Sequence, residues 1–286
     1  MAALGFSVEE LLPRARGGGA LKMGLYKLSE ADWLDPRPDL DVRVAAFDAH
    51  DDSVQITPAA IPAGEELAGM LDAEGGLEVA ARSAWEDMCL LAPDRATGIY
   101  RLIGAAVAFP TDWCPAEKIG LPLTALHAPI GGYAKQLASG VDHFMAQLKP
   151  GPIFGRCNWF VSPTADLRWI QRESNRVAFS HVSARNAGDM LFVRCERQTL
   201  RRLPETGAIL FTIGVYVTPL QTLSQRAVEW LAQALATIPP AEVERRGAAS
   251  FTPQLFAWAS ARGLSVPART GAARPGGDCI AGADWR

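Results

Sequence analysis

The chain has 286 residues, enough for one large domain or two smaller ones, and 49% of them are apolar while 21% are charged. This is the composition of a globular protein with a full core, and the formal charge of −3 excludes a general attraction to nucleic acid or to an anionic membrane. No apolar run reaches the roughly 18 residues of a membrane span, and the first residues lack the apolar core of a signal peptide. We therefore expect a cytoplasmic protein with no nucleic-acid or membrane partner.

The cysteines are scattered along the chain without a CxxC or any other close pair. An odd number without a pattern indicates reduced thiols and an intracellular compartment. The spacings also do not allow a zinc ribbon or a cysteine-held iron–sulfur cluster. The five cysteines are Cys89, Cys114, Cys157, Cys195 and Cys279.

The first half of the chain has mainly helical patterns. Residues 1–20 end in RARGGG and are predicted to form a flexible N-terminal arm. Residues 65–92 are predicted to be helical, with a break at the Gly75–Gly76 pair. A helix over 133–149 is predicted from apolar residues that share one face, which are Leu137, Val141, Phe144, Met145 and Leu148.

The second half of the chain is richer in strands. β-branched and aromatic runs between turn signals predict strands over 98–110, 156–162, 189–198 and 207–217, and a helix is predicted over 221–238. The strands do not alternate regularly with helices. We therefore predict an α+β fold, an antiparallel sheet with flanking helices in a single main domain. A C-terminal extension over 251–286, rich in Gly, Pro and Ala towards its end, is predicted to be partly mobile.

One of the four histidines, His127, lies at a position that suits chemistry. It follows the apolar run LPLTAL and precedes Pro129 and the Gly131–Gly132 pair, so the backbone turns just beyond it. A histidine on such a turn can be a metal or heme-iron ligand, a general base or a buried structural side chain. No second histidine or carboxylate stands at ligand spacing, which argues against a zinc site.

The stretch RCERQTLRRLPETGAILFTIGVYVTPL, residues 194–220, joins a charged strand to an apolar one. Strand alternation places Arg194 and Glu196 side by side on one face, where they can be an ion pair or two groups that reach one ligand. The arginines of the turn, Arg201 and Arg202, can equally be a solvated rim. Buried charges need a compensating partner, so both interpretations of Arg194 and Glu196 stay open.

The second strand of that stretch has one face of small and hydroxyl-bearing side chains. These are Thr212, Gly214 and Tyr216, and such a face can leave room for a ligand. The common nucleotide and hydrolase motifs are missing: no glycine-rich loop stands between a strand and a helix, and neither GxSxG nor HExxH occurs. A substrate pocket is therefore predicted without a phosphate-binding loop.

Four stretches in chain order together resemble one known family. They are WEDMCLL (85–91), AVAFPTDWCPAEKIGLPLTALHAPIGGY (106–133), RCNW (156–159) and RCERQTLRRLPETGAILFTI (194–213). They are similar to the heme-dependent oxidative N-demethylases, a family that includes the large subunit of dimethylamine monooxygenase. The resemblance implies a PAS-like domain over residues 21–250 that binds heme b. It also implies a monooxygenase that uses dioxygen to remove an N-methyl group from a small methylated secondary amine as formaldehyde. Its electrons would come from reductase subunits with flavin and an iron–sulfur cluster that use NADPH, and oligomerisation is left open.

Joined with the residue patterns, this resemblance implies a role for each candidate residue. His127 is expected to be the axial iron ligand. Glu196 is expected to accept the charge of a bound ammonium or to relay protons, with Arg194 beside it as the second catalytic residue. The expected cofactor-binding residues are Lys118, Arg197, Arg201, Arg202 and Tyr133, the cations among them as partners of the heme propionates.

Two positions depart from the pattern of the family. Family members often carry Arg where this chain has Gly214, and Pro-Gly where it has Gly131–Gly132. Loss of that arginine would remove a fixed positive charge and enlarge the pocket predicted beside Gly214. It implies a different amine as substrate or, alternatively, a non-catalytic PAS-like protein that binds heme or a small ligand as a sensor or accessory subunit. A structural partner that binds no heme is a third interpretation.

Overall fold

A seven-stranded antiparallel sheet forms the centre of the computed structural model, which describes residues 4–15, 17–18, 22–130 and 133–267. The strands are β1 (Tyr26–Leu28), β2 (Val54–Ile56), β3 (Asp87–Pro93), β4 (Tyr100–Ala106), β5 (Ile153–Ser162), β6 (Phe192–Arg202) and β7 (Ile209–Pro219). Their spatial order is β1-β5-β6-β7-β3-β4-β2, and every neighbouring pair is antiparallel. The predicted α+β fold, with an antiparallel sheet and flanking helices in one main domain, is confirmed.

The helices of the described residues lie before β3, between β4 and β5, and from β5 to the end of the fold. They are α1 (Val8–Leu11), α2 (Leu40–Asp48), α3 (Ile61–Met70), α4 (Leu77–Arg82), α5 (Pro115–Lys118), α6 (Leu123–Leu126), α7 (Tyr133–Gln136), α8 (Ala138–Gln147), α9 (Asn175–Ala178), α10 (Ala187–Met190), α11 (Gln225–Thr237), α12 (Pro240–Arg245) and α13 (Thr252–Ser260). None of them has both the length and the apolar character needed to span a bilayer.

The β6–β7 hairpin defines the two faces of the sheet. Its strands pair from Phe192 opposite Pro219 to Arg202 opposite Ile209, and the turn between them contains Gly207 with a φ of +71°. Directly opposed residues of neighbouring strands point to the same side, so the predicted alternation of side chains is confirmed. The face we call the α8 face carries Arg156, Asn158, Arg194, Glu196, Gln198, Phe211, Ile213 and Val215; the face we call the α11 face carries Cys157, Trp159, Arg197, Thr199, Arg201, Thr212, Gly214 and Tyr216.

The α8 face is covered by the short helices between β4 and β5. Met145 and Leu148, in and just after α8, and Leu123 of α6 are buried with a separate apolar cluster of β3, β4, β6 and β7. Phe144 of α8 meets Phe154 of β5 edge to face, with ring centroids 5.2 Å apart. The helix predicted over 133–149 is present as α7 and α8, with a break at Leu137.

The α11 face is covered by α11 and by the N-terminal segment. Trp230 of α11 packs edge to face on Trp159 of β5 at 6.1 Å. Leu11 and Leu12 are fully buried in this core, and the backbone amides of Gly5 and Phe6 donate to the Asp35 carboxylate. The flexible arm predicted over 1–20 is therefore corrected for residues 4–15, because two leucines anchor the segment. Residues 1–3, 16 and 19–21 lie outside the described residues.

The long helix predicted over residues 65–92 is wrong at its C-terminal end. The chain forms α3 and α4 and then turns at Ser83 into β3, which pairs with both β4 and β7. A buried central strand is apolar on both sides, so MCLL has no alternation that separates it from a helix.

The C-terminal boundary at residue 250 does not mark the end of the packed domain. Leu255 and Trp258 of α13 are buried in the main core, and the Trp258 ring packs against the backbone at Gly188. The last part of the predicted extension, residues 268–286, lies outside the described residues, as does the Gly131–Gly132 pair.

Candidate functional site

His127 caps the C-terminus of α6 on the α8 face of the sheet. Its Nδ1 lies 2.8 Å from the carbonyl oxygen of Leu123, and its ring stacks on Tyr133 with centroids 4.4 Å apart and planes 16° from parallel. A carbonyl oxygen can only accept, so Nδ1 carries the proton and donates, and Nε2 keeps its lone pair. Burial lowers the pKa of His127, and the nearby charges of Arg156 and Lys118 lower it further against the opposing hydrogen bond to Leu123. The ring is therefore neutral with Nε2 able to bind a metal.

Tyr133 is the second unusual group of this site. Its side chain is buried, yet its hydroxyl has no hydrogen-bond partner among the described residues. Burial raises its pKa to about 12, with a further contribution from Asp142. A buried hydroxyl without a partner costs about 1–3 kcal/mol, so this group is available to a polar ligand atom.

Two cations act electrostatically on His127. Lys118 ends α5 and is half-buried, and Arg156 lies on the α8 face of β5. Both charges lower the pKa of His127. The apolar cluster of this face also includes half-buried side chains, which are Leu126, Val141, Phe144, Phe154 and Phe211. The set suits a flat apolar ligand that carries anionic groups.

Glu196 lies on the same face of the sheet, two residues along β6 from Gln198. It lies directly opposite Asn158 of β5, and Arg156 lies opposite Gln198, so the four side chains form one polar row on the α8 face. Glu196 is 6% exposed, and its Oε2 accepts from Gln198 Nε2 at 2.9 Å and from Asn158 Nδ2 at 3.4 Å. We refer to His127, Tyr133, Arg156, Glu196 and Gln198 together as the His127 site.

Arg194 also points to the α8 face, but its guanidinium is used by the fold. Nε donates to Thr111 Oγ1 at 2.7 Å, Nη1 donates to the Asp166 carbonyl, and Nη2 donates to the carbonyls of Phe109, Pro110 and Leu167. The side chain is fully buried, and burial lowers its pKa to about 10, which leaves it charged at neutral pH. The predicted catalytic arginine is thus a clamp between two loops.

The other predicted arginines do not meet His127 either. On the α11 face, Arg197 donates to the carbonyls of Trp33 and Asp32, and Arg201 pairs with Glu30 Oε1 at 2.6 Å above the Trp33 ring. Arg202 lies on the α8 face but at the far end of β6. Its guanidinium donates to the carbonyls of Met145, Leu148 and Gly207 and to the Tyr100 hydroxyl. These contacts join strands to loops. Arg201 and Arg202, which could have been a solvated rim, therefore have structural roles.

The predicted substrate residues lie on the α11 face, away from His127. Thr212 is fully buried, and its Oγ1 lies 2.6 Å from that of Thr199. Tyr216 donates to Asp35 Oδ2 at 2.8 Å, and a Cβ at Gly214 would lie 3.1 Å from the Tyr216 ring and 3.3 Å from Glu86 Oε1. The space beside Gly214 is therefore filled. The sheet separates the predicted substrate residues from the predicted iron ligand.

Sequence analysis did not single out the pair Arg156 and Asn158 or the buried Glu86. Arg156 and Asn158 both lie in the RCNW stretch, and strand alternation is the sequence signal that places them on one face. Glu86 was missed because it lies in a stretch predicted to be helical. It is fully buried, its Oε2 has no hydrogen-bond partner in the described part of the chain, and burial raises its pKa to about 7.

No group of three or more His, Cys, Asp or Glu side chains that could hold a metal ion occurs within the described ranges.

Comparison with known proteins places these observations in a family. Residues 44–256 match the model of the family described as haem-dependent oxidative N-demethylase, alpha subunit-like. The match runs from within α2 to within α13 and includes every residue of the His127 site. None of the curated proteins matches the chain.

Proposed function

Because the chain belongs to the haem-dependent oxidative N-demethylase, alpha subunit-like, family, we propose that it is the PAS-like heme-binding subunit of a monooxygenase. The proposed reaction removes an N-methyl group from a small secondary amine. In balanced form, dimethylamine, dioxygen, two electrons and two protons give methylamine, formaldehyde and water. The observation that supports this function most directly is His127, with a neutral ring, a proton on Nδ1 and an unshared lone pair on Nε2.

The residues of the His127 site fit heme b. His127 Nε2 would hold the heme iron, with the ring oriented by its hydrogen bond to the Leu123 carbonyl. Lys118 and Arg156 would neutralise the propionates, and the Tyr133 hydroxyl could donate to the same groups. When bound, heme supplies the iron that activates dioxygen for oxidation of the N-methyl carbon. Arg194, Arg197, Arg201 and Arg202 are not needed for this role.

Glu196 supplies the negative charge that a methylated ammonium would pair with. It is nearly buried, so its attraction for a cation is stronger than in water. Its Oε1 accepts no hydrogen bond within the described part of the chain and can accept one from the N–H of an ammonium ion. The two electrons would come from partner reductase subunits with flavin and an iron–sulfur cluster that use NADPH.

An absorption spectrum of the purified protein after heme reconstitution tests the proposal. We expect a Soret band that is lost or shifted in His127→Ala and unchanged in His143→Ala, which removes an exposed histidine of α8. Absence of the band in the wild type would overturn heme binding. An unchanged band in His127→Ala would show that another residue holds the iron.

A second measurement separates the enzyme from a heme-binding sensor or accessory protein. The reconstituted protein is supplied with reductant, dioxygen and a panel of methylated amines, and formaldehyde is assayed. Amine-dependent formaldehyde supports the demethylase. A heme protein that yields none across the panel would be the non-catalytic alternative.

A further inference from the structure

Glu196 is connected to α12 through a row of polar side chains at the edge of β5. β1 pairs with residues 153–155 of β5 and Ala15 bridges Cys157, so α12 meets this edge only beyond Cys157. Arg246, directly after α12, donates through Nη2 to Asn158 Oδ1 at 3.2 Å and through Nη1 to the Trp159 carbonyl. Asn158 in turn donates through Nδ2 to Glu196 Oε2.

The orientation of the Asn158 amide follows from its two neighbours. A guanidinium has only donors, so the atom of Asn158 that faces Arg246 must be the oxygen. An ionised carboxylate has only acceptors, so the atom that faces Glu196 must be the nitrogen. The Asn158 amide therefore cannot turn over without losing both contacts. Its contact with Arg246 thus fixes Nδ2 as the donor that faces Glu196.

Arg246 is itself held in place. Its Nε donates to Glu242 Oε2 at 2.9 Å, and its guanidinium lies 4.8 Å from the centroids of both Trp159 and Phe160. Burial would raise the pKa of Glu242, but the hydrogen bonds and charges of Arg245 and Arg246 outweigh it and bring the pKa to about 2. The anchor of the row is thus a charged pair at any physiological pH.

We propose that Asn158 is a positioning residue that, with Gln198, occupies Oε2 of Glu196 and turns Oε1 towards a protonated amine. Both amides donate to the same oxygen, so the remaining hydrogen-bonding capacity of the carboxylate lies on Oε1. A secondary ammonium has two N–H groups and can donate to that oxygen, whereas a quaternary ammonium has none. The site then selects small ammonium ions that carry an N–H. This inference rests on the proposed function and assigns its substrate class.

Binding of dimethylammonium to the heme-reconstituted protein, measured by calorimetry, tests the role of Asn158. Glu196→Gln is expected to abolish measurable binding. Asn158→Ala should raise Kd about tenfold, the usual effect of losing one hydrogen bond to a charged group, with the Soret band unchanged. Tetramethylammonium should bind the wild type at least about tenfold more weakly than dimethylammonium. Equal affinities for the two ions would overturn the proposed selectivity.

Asn158→Asp is the variant that separates positioning from a merely structural role. The carboxylate keeps the size of the side chain and the contact with Arg246, but it repels Glu196. The added charge attracts dimethylammonium and tetramethylammonium alike, so the readout is the ratio of their two Kd values. Because the new carboxylate cannot donate to Glu196 Oε2, we expect this ratio to fall towards one.

The outcomes distinguish this inference from the proposed function. If Asn158→Ala keeps the wild-type Kd within about twofold and Asn158→Asp keeps the wild-type ratio of the two Kd values while Glu196→Gln does not bind, the positioning role is overturned and the proposed function stands. If Glu196→Gln also binds normally, the role of Glu196 in the proposed function fails. Thermal unfolding of each variant shows whether a loss of binding accompanies a loss of fold.

Discussion

The two faces of the sheet use charged and polar side chains in different ways. On the α11 face, Arg197 and Arg201 are bonded to carbonyls or to Glu30, and Tyr216 fills the space beside Gly214. On the α8 face, His127 keeps an unshared lone pair on Nε2 and the Tyr133 hydroxyl has no partner among the described residues. Unpartnered buried groups occur on both faces, since Glu86 Oε2 on the α11 side also has no partner among the described residues. The comparison teaches that charge density alone does not locate a candidate binding site.

Substitution of Arg194 is expected to change stability most, because this charged residue of the α8 face is hydrogen-bonded to loops of the fold. In Arg194→Met the carbonyls of Phe109, Pro110 and Leu167 lose their donor. We expect the free energy of unfolding to fall by about 3–5 kcal/mol, measured by chemical denaturation.

The matched control for this substitution is Arg226→Met, at an exposed position of α11, which should change stability by no more than about 0.5 kcal/mol. The folded fraction of Arg194→Met should bind heme with the affinity of the wild type. A stable Arg194→Met protein with weakened heme or amine binding would instead return Arg194 to the catalytic role that its strand position suggested.

The hairpin and its two faces were predictable because strand side chains alternate with a period of two. The alternation separates Glu196 from Arg197 without any structure. It does not say which helices cover which face, and so it could not show that Gly214 and His127 lie on opposite sides. The partners of Arg194 were equally out of reach, since its acceptors lie 27 to 85 residues away in loops. β3 was missed because a buried apolar strand has no alternation to detect.

Glu86 should give the next largest effect, through pH. Its side chain lies on the α11 side of the sheet, where its Oε1 accepts from the Asp35 amide and lies 4.0 Å from Arg197 Nη1. Burial, with a smaller contribution from Asp35, raises its pKa from 4.5 to about 7 against the opposing charge of Arg197. Between these values the folded chain holds a proton that the unfolded chain has lost. The free energy of unfolding therefore falls as the pH rises from about 4.5 to 7, by up to about 3 kcal/mol.

The test is denaturation of wild type and Glu86→Gln at several pH values from 5 to 8. The amide cannot ionise and can still accept from the Asp35 amide, so the substitution should flatten this part of the pH dependence and stabilise the protein at pH 8. Glu74→Gln, at an exposed position, should keep the slope of the wild type. Equal slopes in wild type and Glu86→Gln would mean that Glu86 is ionised in the fold.

Substitution of Gly214 gives the smallest expected change in stability, but it tests most directly which face of the sheet binds the amine. Its φ is outside the left-handed region, so an alanine is acceptable to the backbone and only the surrounding space decides the result. The added Cβ would press on the Tyr216 ring and on Glu86 Oε1. Neither can move cheaply, because Tyr216 donates to Asp35 and Glu86 accepts from the Asp35 amide. We expect Gly214→Ala to lower the free energy of unfolding by about 1–3 kcal/mol, the usual cost of overpacking.

Gly69→Ala in α3 is the matched control, because nothing lies within 4 Å of its added Cβ. It should stabilise the protein by about 0.5–1 kcal/mol, since alanine is the better helix residue. The affinity for dimethylammonium should be unchanged in both variants, because Gly214 lies across the sheet from Glu196. A Gly214→Ala protein of normal stability with altered amine binding would place the substrate on the α11 face. That result would contradict the proposal that the amine binds at Glu196 on the α8 face.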